Sequence, residues 1–478
     1  MTMLRVGEHH AFEAANRRYL YLVPSAAVFA LDAPAAALLD ALDAEPATRT
    51  DLISRVSAQF PLTDLGGLLT ELEQIHAVQP VATPAPATPT IIPLTPVTPF
   101  PLTTAVLNVT NQCNLSCGYC YEYSEDKIVD TTNGSQPKFM TDETARQSID
   151  LLFRESGEVE VVHVSFFGGE TLMNYPVLSR AVPYAKAQAA AYGKRVEFNL
   201  TTNATLLTPK MIAFLADEDI SVTVSIDGPR EMQNRFRVFH DGSGSYDVML
   251  PRVQELLRRH RSRPIGARVT LTSQVSDVLA IYRHLTDEIG FQEVGFAPVT
   301  TSPDRDHALD ASGFDQMVTQ FTALADEFLQ AALAGRHHGF SNVSETLGEI
   351  HKGVSKAYPC GAGLGLIGVS TGGDVALCHR FAGSKEHGLG SVSAGLDRDA
   401  QRAFLERNHI GHKTDCHTCW ARPLCSGGCY HEAHTRYGST THPNLHYCDW
   451  IREWTDICLR VYGEIAERSP RFLDRFDA

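Results

Sequence analysis

The segment Val109–Tyr123 has the sequence VTNQCNLSCGYCYEY and places three cysteines in one short stretch. Cys113 and Cys117 are separated by three residues, and Cys117 and Cys120 by two. Structural zinc sites and ordinary iron–sulfur clusters take four protein ligands. A set of three therefore predicts a metal centre whose fourth position is kept for a ligand from outside the chain.

The overall composition narrows the class of protein. The chain has 478 residues, more than a typical domain of ~100–200, which predicts two or three units. A net charge of −15 argues against a nucleic-acid binder. No run of ~18 apolar residues is present and the first residues lack the features of a secretory signal, so no membrane span is predicted. We expect a cytoplasmic protein, in which cysteines stay reduced and act as metal ligands.

The chain divides into four segments by pattern. Residues 1–82 contain two strand candidates and three helix candidates, typical of a winged-helix-like unit, with Asp32 capping the first helix. Residues 83–102 are too rich in proline for a helix or a central strand and predict a semi-extended linker. Residues 103–340 alternate strands and helices, and residues 341–478 are dense in glycine and cysteine.

Six apolar strand candidates lie in residues 103–340, separated by amphipathic helix candidates. This alternation predicts a parallel sheet covered by helices, here a partial (β/α)6 TIM-type barrel in an α/β fold. In such barrels the chemistry gathers at the carboxyl ends of the strands. Four unusual motifs end or follow successive strands: the cysteine loop, FFGGET (Phe166–Thr171), NLTTNATLL (Asn199–Leu207) and SIDGP (Ser225–Pro229). We expect all four on one rim of the barrel.

The last segment holds a second cysteine pattern. Its members are Cys360, Cys378, Cys416, Cys419, Cys425, Cys429 and Cys448. Taken alone, the four cysteines of CHTCWARPLCSGGC (Cys416–Cys429) also suit a zinc ribbon. The apolar pattern of the segment is sparse, so we expect a loop-rich unit held together by metal. Cys458 lies beyond the pattern in a helix candidate and is predicted to be a core residue.

The CxxxCxxC spacing, with Tyr119 before the last cysteine, resembles the radical S-adenosylmethionine superfamily, and the C-terminal pattern resembles the SPASM domain of its peptide maturases. The resemblance implies three 4Fe–4S clusters and S-adenosylmethionine as cofactors. The first cluster, which binds S-adenosylmethionine and yields a hydrogen-abstracting radical, would be held by Cys113, Cys117 and Cys120. The two auxiliary clusters would be held by Cys360, Cys378 and Cys429, and by Cys416, Cys419, Cys425 and Cys448.

The same resemblance implies contacts to S-adenosylmethionine. The implied residues are Tyr119, Gly168, Gly169, Glu170, Asn203, Ser225 and Arg237, with Arg237 pairing to the methionyl carboxylate. For Asn203 a turn-capping role is an alternative. The general base is not identified by sequence, and Asp227, Glu170 and His379 are the candidates.

Two departures separate the chain from sulfatase maturases. Those enzymes carry an extra cysteine between the first two positions of the C-terminal pattern, and nothing between Cys360 and Cys378 supplies one. The first auxiliary cluster is therefore expected to have three protein ligands and an open iron that could bind a substrate thiolate. Sulfatase maturases also carry an aspartate directly after the cysteine that corresponds to Cys378, and this chain has His379 at that position.

The layout of the whole chain resembles the maturation proteins of quinohemoprotein amine dehydrogenase, with residues 1–82 resembling a peptide-recognition element. This implies an oxidoreductase that joins cysteine sulfurs to methylene carbons of Asp or Glu in the small cysteine-rich subunit of the dehydrogenase, using an external electron donor. One alternative is another ribosomal-peptide maturase, of the cyclophane, sactionine or ranthipeptide type. Others are a formylglycine-generating sulfatase maturase and a non-catalytic zinc scaffold. A DNA-binding winged helix is disfavoured by the acidic chain.

Overall fold

The computed structural model describes residues 2–81, 100–130, 134, 136–413 and 415–477. Most of the predicted proline-rich linker, residues 83–99, lies outside them. The first unit contains β1 (Met3–Val6), β2 (His9–Ala14), β3 (Arg17–Leu22), β4 (Ala27–Ala30), α1 (Ala33–Ala44), β5 (Ala47–Thr48), α2 (Arg49–Ser57), α3 (Leu65–Gln74) and β6 (Val78–Pro80). Strands β5, β1 and β6 form one antiparallel sheet, and β2, β3 and β4 form another.

The three helices of this unit surround a core of their own. Leu38, Leu52 and Leu69 are fully buried in it. Each helix begins at a polar cap, since the side chain of Asp32 accepts a hydrogen bond from the backbone N–H of Ala35, and Thr48 and Asp64 cap the next two helices in the same way. The caps and leucine spacing explain why these helices could be recognised in the sequence.

The central sheet follows the predicted alternation of strands and helices. Its parallel strands are β7 (Thr104–Thr110), β8 (Val161–Gly168), β9 (Arg195–Thr202), β10 (Ser221–Ser225), β11 (Gly266–Leu271) and β12 (Glu293–Pro298). The helices between and after them are α4 (Asp142–Glu155), α5 (Tyr175–Ala191), α6 (Pro209–Asp217), α7 (Arg230–Phe236), α8 (Tyr246–Arg259), α9 (Val278–Arg283), α10 (Ala311–Leu333) and α11 (Ser341–His351). The predicted α/β fold with a parallel sheet is confirmed.

The C-terminal segment is built into this sheet. It comprises β13 (Leu366–Val369), β14 (Asp374–Ala376), β15 (Gly388–Ser391), β16 (Gly395–Leu396), α12 (Arg398–Asn408), α13 (Arg422–Cys425), α14 (Tyr430–Tyr437) and α15 (Cys448–Arg468). Strand β13 pairs in parallel with β7 and continues the sheet beyond the six predicted strands. The segment also packs against the rest of the chain, because Val369, Phe404 and Leu459 are buried in the main core.

Helix α15 joins the first and last segments. It packs along α10 and against β2, and Gly463 lets the Cβ of Ala14 approach the helix closely. His10 Nε2 lies 2.7 Å from the Asp456 carboxylate, and the ring of His10 stacks on Trp420 with 3.7 Å between centroids. None of the helices in the described part of the chain is long and apolar enough to cross a membrane.

Candidate active site and cysteine centres

The carboxyl ends of the parallel strands surround a cavity of about 480 Å³. Residues from all four predicted motifs line it, among them Cys113, Gly169, Asn203 and Ser225, so the prediction that the motifs share one rim is confirmed. A second cavity of about 850 Å³ also adjoins the cysteine loop, and Cys113 and Cys117 line both cavities. The loop therefore borders two cavities.

The cysteine loop is held by its own backbone. The N–H of Cys120 donates to the carbonyl of Cys117 at 3.1 Å, and the N–H of Leu115 lies 3.4 Å from the Cys113 sulfur. Burial raises the pKa of the Cys113 and Cys120 thiols to about 12. Thiols in this state stay protonated at neutral pH unless a metal displaces the proton. Three thiols confined in one loop fit a metal cluster and leave its remaining position to another ligand.

The two glycines of FFGGET are required by contacts with the cysteine loop. A Cβ on Gly169 would lie 2.2 Å from the Tyr123 hydroxyl and 2.4 Å from the Gln112 carbonyl. Gly168 has φ +137°, and a Cβ there would lie 2.3 Å from the carbonyl of Thr110. The backbone of the motif donates to the same loop, with Gly169 N–H to Thr110 at 3.0 Å. The sequence predicts that these glycines contact S-adenosylmethionine, and the structure adds that they pack against the cysteine loop.

Glu170 is buried beneath the cavity with its carboxylate fully engaged. One oxygen accepts from the N–H of Leu172 at 3.0 Å and the hydroxyl of Thr202 at 2.6 Å, and the other accepts from the N–H of Asn203 at 2.7 Å. Burial raises the pKa of Glu170, although these hydrogen bonds oppose the shift. The carboxylate ties the second and third motifs together, which favours a structural and ligand-orienting role over that of a base.

Asp227 does not line the cavity, contrary to its selection as a candidate base. Its side chain is fully buried, and it accepts from Nε of Arg237 at 2.9 Å, from Nη2 of Arg237 at 3.2 Å and from the N–H of Thr270 at 3.1 Å. The Tyr119 hydroxyl donates to the same carboxylate. Asp227 thus orients Arg237 and Tyr119, both of which line the cavity, while both of its own oxygens are engaged by these hydrogen bonds.

The other predicted contacts also lie at the cavity. Ser225 ends β10 there. The side-chain oxygen of Asn203 accepts from the N–H of Thr205 at 2.9 Å, which is the turn-capping alternative, while its amide nitrogen lies 3.9 Å from the Cys113 sulfur. His379 lines the cavity with its ring 4.4 Å from that of Phe167. Burial, with the neighbouring Arg380 cation, lowers the pKa of His379 to about 3, so its imidazole is neutral at physiological pH.

The seven C-terminal cysteines fall into two groups by the charges that act on their thiols. Burial, the larger cause, raises the pKa of Cys360 to about 11 and of Cys378 to about 12, and Cys429 adds to both shifts. Burial likewise raises the pKa of Cys416, Cys425 and Cys448, and Cys419 adds to all three shifts. These are the two sets that the resemblance implied. Cys458 lies outside both, fully buried in α15, as expected of a core residue.

Lys413 lies between the two groups. Its side chain is 1% exposed, and its Nζ has no hydrogen-bond partner among the described residues. Cys360 and Cys429 of one group and Cys416 and Cys425 of the other all raise its pKa, while burial, the larger effect, lowers it. A buried cation without a partner is costly, and thiolate-bound clusters on both sides would compensate its charge. The two cysteine groups therefore fit anionic metal clusters.

Three cations at these sites are not predicted from the sequence. Lys413 stands in GHKTDC, where nothing marks it as buried. Arg268 lines the cavity. The sequence feature that could have indicated this is a charged residue within the otherwise apolar strand segment ARVTLT. Arg380 lines the same cavity directly after His379.

Comparison with known proteins agrees with this site. Residues 107–273 match the model of the Radical SAM superfamily. An uncharacterized protein of Methanocaldococcus jannaschii is 31% identical over 140 residues, which are 29% of this chain and only 43% of that protein. The radical SAM cyclopropyl synthase TigE of Paramaledivibacter caminithermalis is 23% identical over 72% of this chain and 71% of its own length. The serine-type anaerobic sulfatase-maturating enzyme of Bacteroides thetaiotaomicron is 26% identical over 69% of this chain and 82% of its own.

Two solved structures share the fold. Native anSMEcpe with bound AdoMet and the Kp18Cys peptide superimposes with a TM-score of 0.62 at 18% identity, over 79% of this chain and 99% of that one. Streptococcus suis SuiB bound to the precursor peptide SuiA gives a TM-score of 0.51 at 14% identity, over 94% and 100% of the two chains. Residues 107–273 thus match the Radical SAM superfamily, and over a longer span the chain is similar to an anaerobic sulfatase-maturating enzyme and to a radical SAM cyclopropyl synthase.

Proposed function

We propose that the protein is a radical SAM oxidoreductase that forms intrapeptide thioether cross-links, from Cys sulfur to a methylene carbon of Asp or Glu, in the small subunit of quinohemoprotein amine dehydrogenase. One observation carries the proposal. The cavity that begins at the cysteine loop also reaches His379 and Arg380, which directly follow Cys378 of the first C-terminal group. Radical formation and sulfur binding would thus take place in one cavity.

Separate sets of residues would bind the first cluster and S-adenosylmethionine. Cys113, Cys117 and Cys120 would hold the cluster that, with S-adenosylmethionine bound, supplies a hydrogen-abstracting radical. Arg237, oriented by Asp227, would bind the methionyl carboxylate, and its Nη1 is left for that contact because Nε and Nη2 bind Asp227. Ser225, Gly169 and Glu170 would complete the cofactor site.

The C-terminal groups would serve the second half of the reaction. Cys360, Cys378 and Cys429 would leave one position of a 4Fe–4S cluster for a substrate thiolate, and the four-cysteine group would hold a fully ligated cluster. An external electron donor would supply the electron that starts the reaction, and these two cysteine sets would hold the clusters that take up the electron released when the sulfur–carbon bond forms. We further propose that residues 1–82 recognise the peptide, in keeping with the SuiB structure, which holds its precursor peptide. For the other segments we propose the predicted roles: a linker at residues 83–102, a radical SAM barrel at residues 103–340 and a SPASM domain at residues 341–478.

A co-expression experiment tests the bond type. The protein is produced anaerobically with a small cysteine-rich dehydrogenase subunit, and the subunit is then alkylated and analysed by mass spectrometry. We expect each cross-link to remove two hydrogen masses and one alkylatable thiol, with tandem fragmentation locating the bond at Asp or Glu. Cys113→Ala should abolish the change, whereas Cys458→Ala should leave it intact. An unmodified subunit beside a protein that cleaves S-adenosylmethionine would rule out this substrate.

Formylglycine formation is the second candidate, because a serine-type anaerobic sulfatase-maturating enzyme is among the relatives. Mass spectrometry separates the two reactions, since an aldehyde reacts with hydrazides and a thioether does not. His379, at the position where sulfatase maturases have an aspartate, weakens this candidate.

A further inference from the structure

Arg268 is a cation placed inside the barrel. It lies on β11, where its neighbours Ala267 and Val269 are buried in the core and Arg268 extends to the opposite side, into the cavity. Its side chain has the exposure of a surface residue, yet the surface it exposes lines an internal cavity. The strand register sets it directly beside Ser225 of β10. Among the described residues it forms no hydrogen bond and no ion pair within 4.0 Å.

Arg380 reaches the same cavity from the C-terminal segment. Its Nη1 donates to the Thr300 hydroxyl at 3.0 Å, and its guanidinium lies over the ring of Tyr121, 4.5 Å from the centroid. Both contacts fix the guanidinium plane without neutralising its charge. Like Arg268, it forms no ion pair within 4.0 Å among the described residues.

The charges that line the cavity are only partly paired. Arg237 is neutralised by Asp227, and the Glu170 carboxylate is engaged by its three donors. Glu122 lines the cavity as well, and among the described residues it forms no ion pair within 4.0 Å with either arginine. Cys378, Cys429 and Glu432 place negative charge near Arg380, and Glu345 does so near Arg268, without an ion pair in either case. Both guanidinium groups thus line the cavity without an ion-pair partner among the described residues.

We propose that Arg268 and Arg380 form a carboxylate-binding subsite that holds the side chain of the substrate Asp or Glu. This subsite rests on the proposed function, and it identifies the substrate carboxylate as the group that the cavity selects. Guanidinium groups bind carboxylates through paired, charge-assisted hydrogen bonds, which fix the orientation of the carboxylate. The methylene next to the carboxylate is then held at one position, whether it belongs to Asp or to the longer Glu. One subsite could therefore serve both residue types.

Equilibrium binding tests this subsite without any radical chemistry. The probes are blocked tripeptides Gly-Asp-Gly and Gly-Glu-Gly, with Gly-Asn-Gly and Gly-Gln-Gly as uncharged counterparts, titrated into the unreduced, cluster-loaded protein with S-adenosylmethionine present. We expect the acidic peptides to bind about tenfold more tightly than their amides. Equal affinities of the acidic and amide peptides for the unaltered protein would overturn the proposal.

Variants assign the preference to the two arginines. Arg268→Gln and Arg380→Gln should each reduce the acid-to-amide affinity ratio to about threefold or less. Arg235→Gln is the matched control, because Arg235 lies on α7 outside the cavity and binds Gln274, and it should keep the ratio. Retention of the full ratio in both Arg268→Gln and Arg380→Gln would also overturn the subsite. Iron content and circular dichroism check folding, and Arg268→Lys, which keeps the charge, replaces Arg268→Gln if that variant does not fold.

The test separates this subsite from the proposed bond type. Thioether formation without any preference for acidic peptides would keep the proposed function and overturn the subsite. A preference for acidic peptides that depends on Arg268 and Arg380, without thioether formation, would keep the subsite and overturn the bond type.

Discussion

Lys413 occupies the space that a side chain at Gly427 would fill. A Cβ added at Gly427 would lie 2.6 Å from Cδ and 2.9 Å from Nζ of Lys413, and Gly427 has φ +82°. The ammonium group also lies 5.4 Å from the ring centroid of Tyr430. A glycine and an aromatic ring thus hold a buried cation between the two C-terminal cysteine groups.

Replacing Lys413 should lower the reduction potential of at least one auxiliary cluster. A nearby positive charge favours the more negative, reduced state of a cluster, so its loss in Lys413→Met favours the oxidised state. We expect a decrease on the order of 60 mV, which corresponds to about 1.4 kcal/mol. Redox titration followed by electron paramagnetic resonance measures it. Lys385→Met, a substitution at an exposed lysine of the same segment, is the control. Unchanged potentials in a fully loaded Lys413→Met protein would contradict the prediction.

Substitution of Gly169 by alanine should displace the cysteine loop. The added methyl group would meet the Gln112 carbonyl and the Tyr123 hydroxyl at contact distances that atoms do not adopt. We expect the variant to lose about four iron atoms per chain, the content of one cluster, as measured by iron analysis. Gly118→Ala is the matched control, because Gly118 lies in the same loop and its added Cβ would be 3.6 Å from Phe236, an ordinary contact. Full iron content in Gly169→Ala would refute the packing argument.

Asp227→Asn should destabilise the protein strongly. The substitution leaves the Arg237 guanidinium buried without a counter-charge, and loss of one partner of a buried pair costs about 3–5 kcal/mol of unfolding free energy. We expect a lower urea midpoint and weaker binding of S-adenosylmethionine. Asp247→Asn removes a carboxylate from an exposed pair with Arg230, and should cost about 1 kcal/mol or less. Similar midpoints for the two variants would show that the buried pair contributes little.

The buried thiols should be unreactive after cluster removal until the solution is strongly alkaline. The pKa of Cys113 and of Cys416 is raised by burial to about 12, so the thiolate fraction at pH 8 is about one in ten thousand. In the cluster-free chain, the rate of alkylation at both residues should rise about tenfold per pH unit from pH 8 to 10. Free cysteine in the same solution levels off near its ordinary pKa. A plateau at the protein thiols below pH 10, detected by mass spectrometry, would show that they are less buried than the structure indicates.

The parts of the fold that could be predicted are those in which local pattern and tertiary packing agree. Strand β7 can be recognised because TAVLNVT contains the apolar residues Ala105–Leu107 and Val109, and α1 because Asp32 and the leucine spacing mark it. Strand β13 was missed because LIGV is only four residues long and lies between glycine-rich turns, so its partner β7 decides its conformation.

At the site, residue spacing identified the cysteine sets, and tertiary contacts decided the rest. No sequence pattern shows that Asp227 faces Arg237 and Tyr119 instead of the cavity. The sequence also does not show that Gly169 is needed to admit the Tyr123 hydroxyl. These roles depend on segments that meet only in the folded chain.

The pairing of β13 with β7 has a consequence for the order of folding. The contact between Thr103 and Gly365 next to this pairing joins residues 262 positions apart in the chain. Contacts of such long range form late and slow the folding reaction. Strand β7 carries the first cysteine loop at its end, and its edge opposite β8 stays unpaired during synthesis until residues 366–369 have left the ribosome. The sheet that supports the first cysteine loop is therefore completed by a strand that is synthesised long after the loop itself.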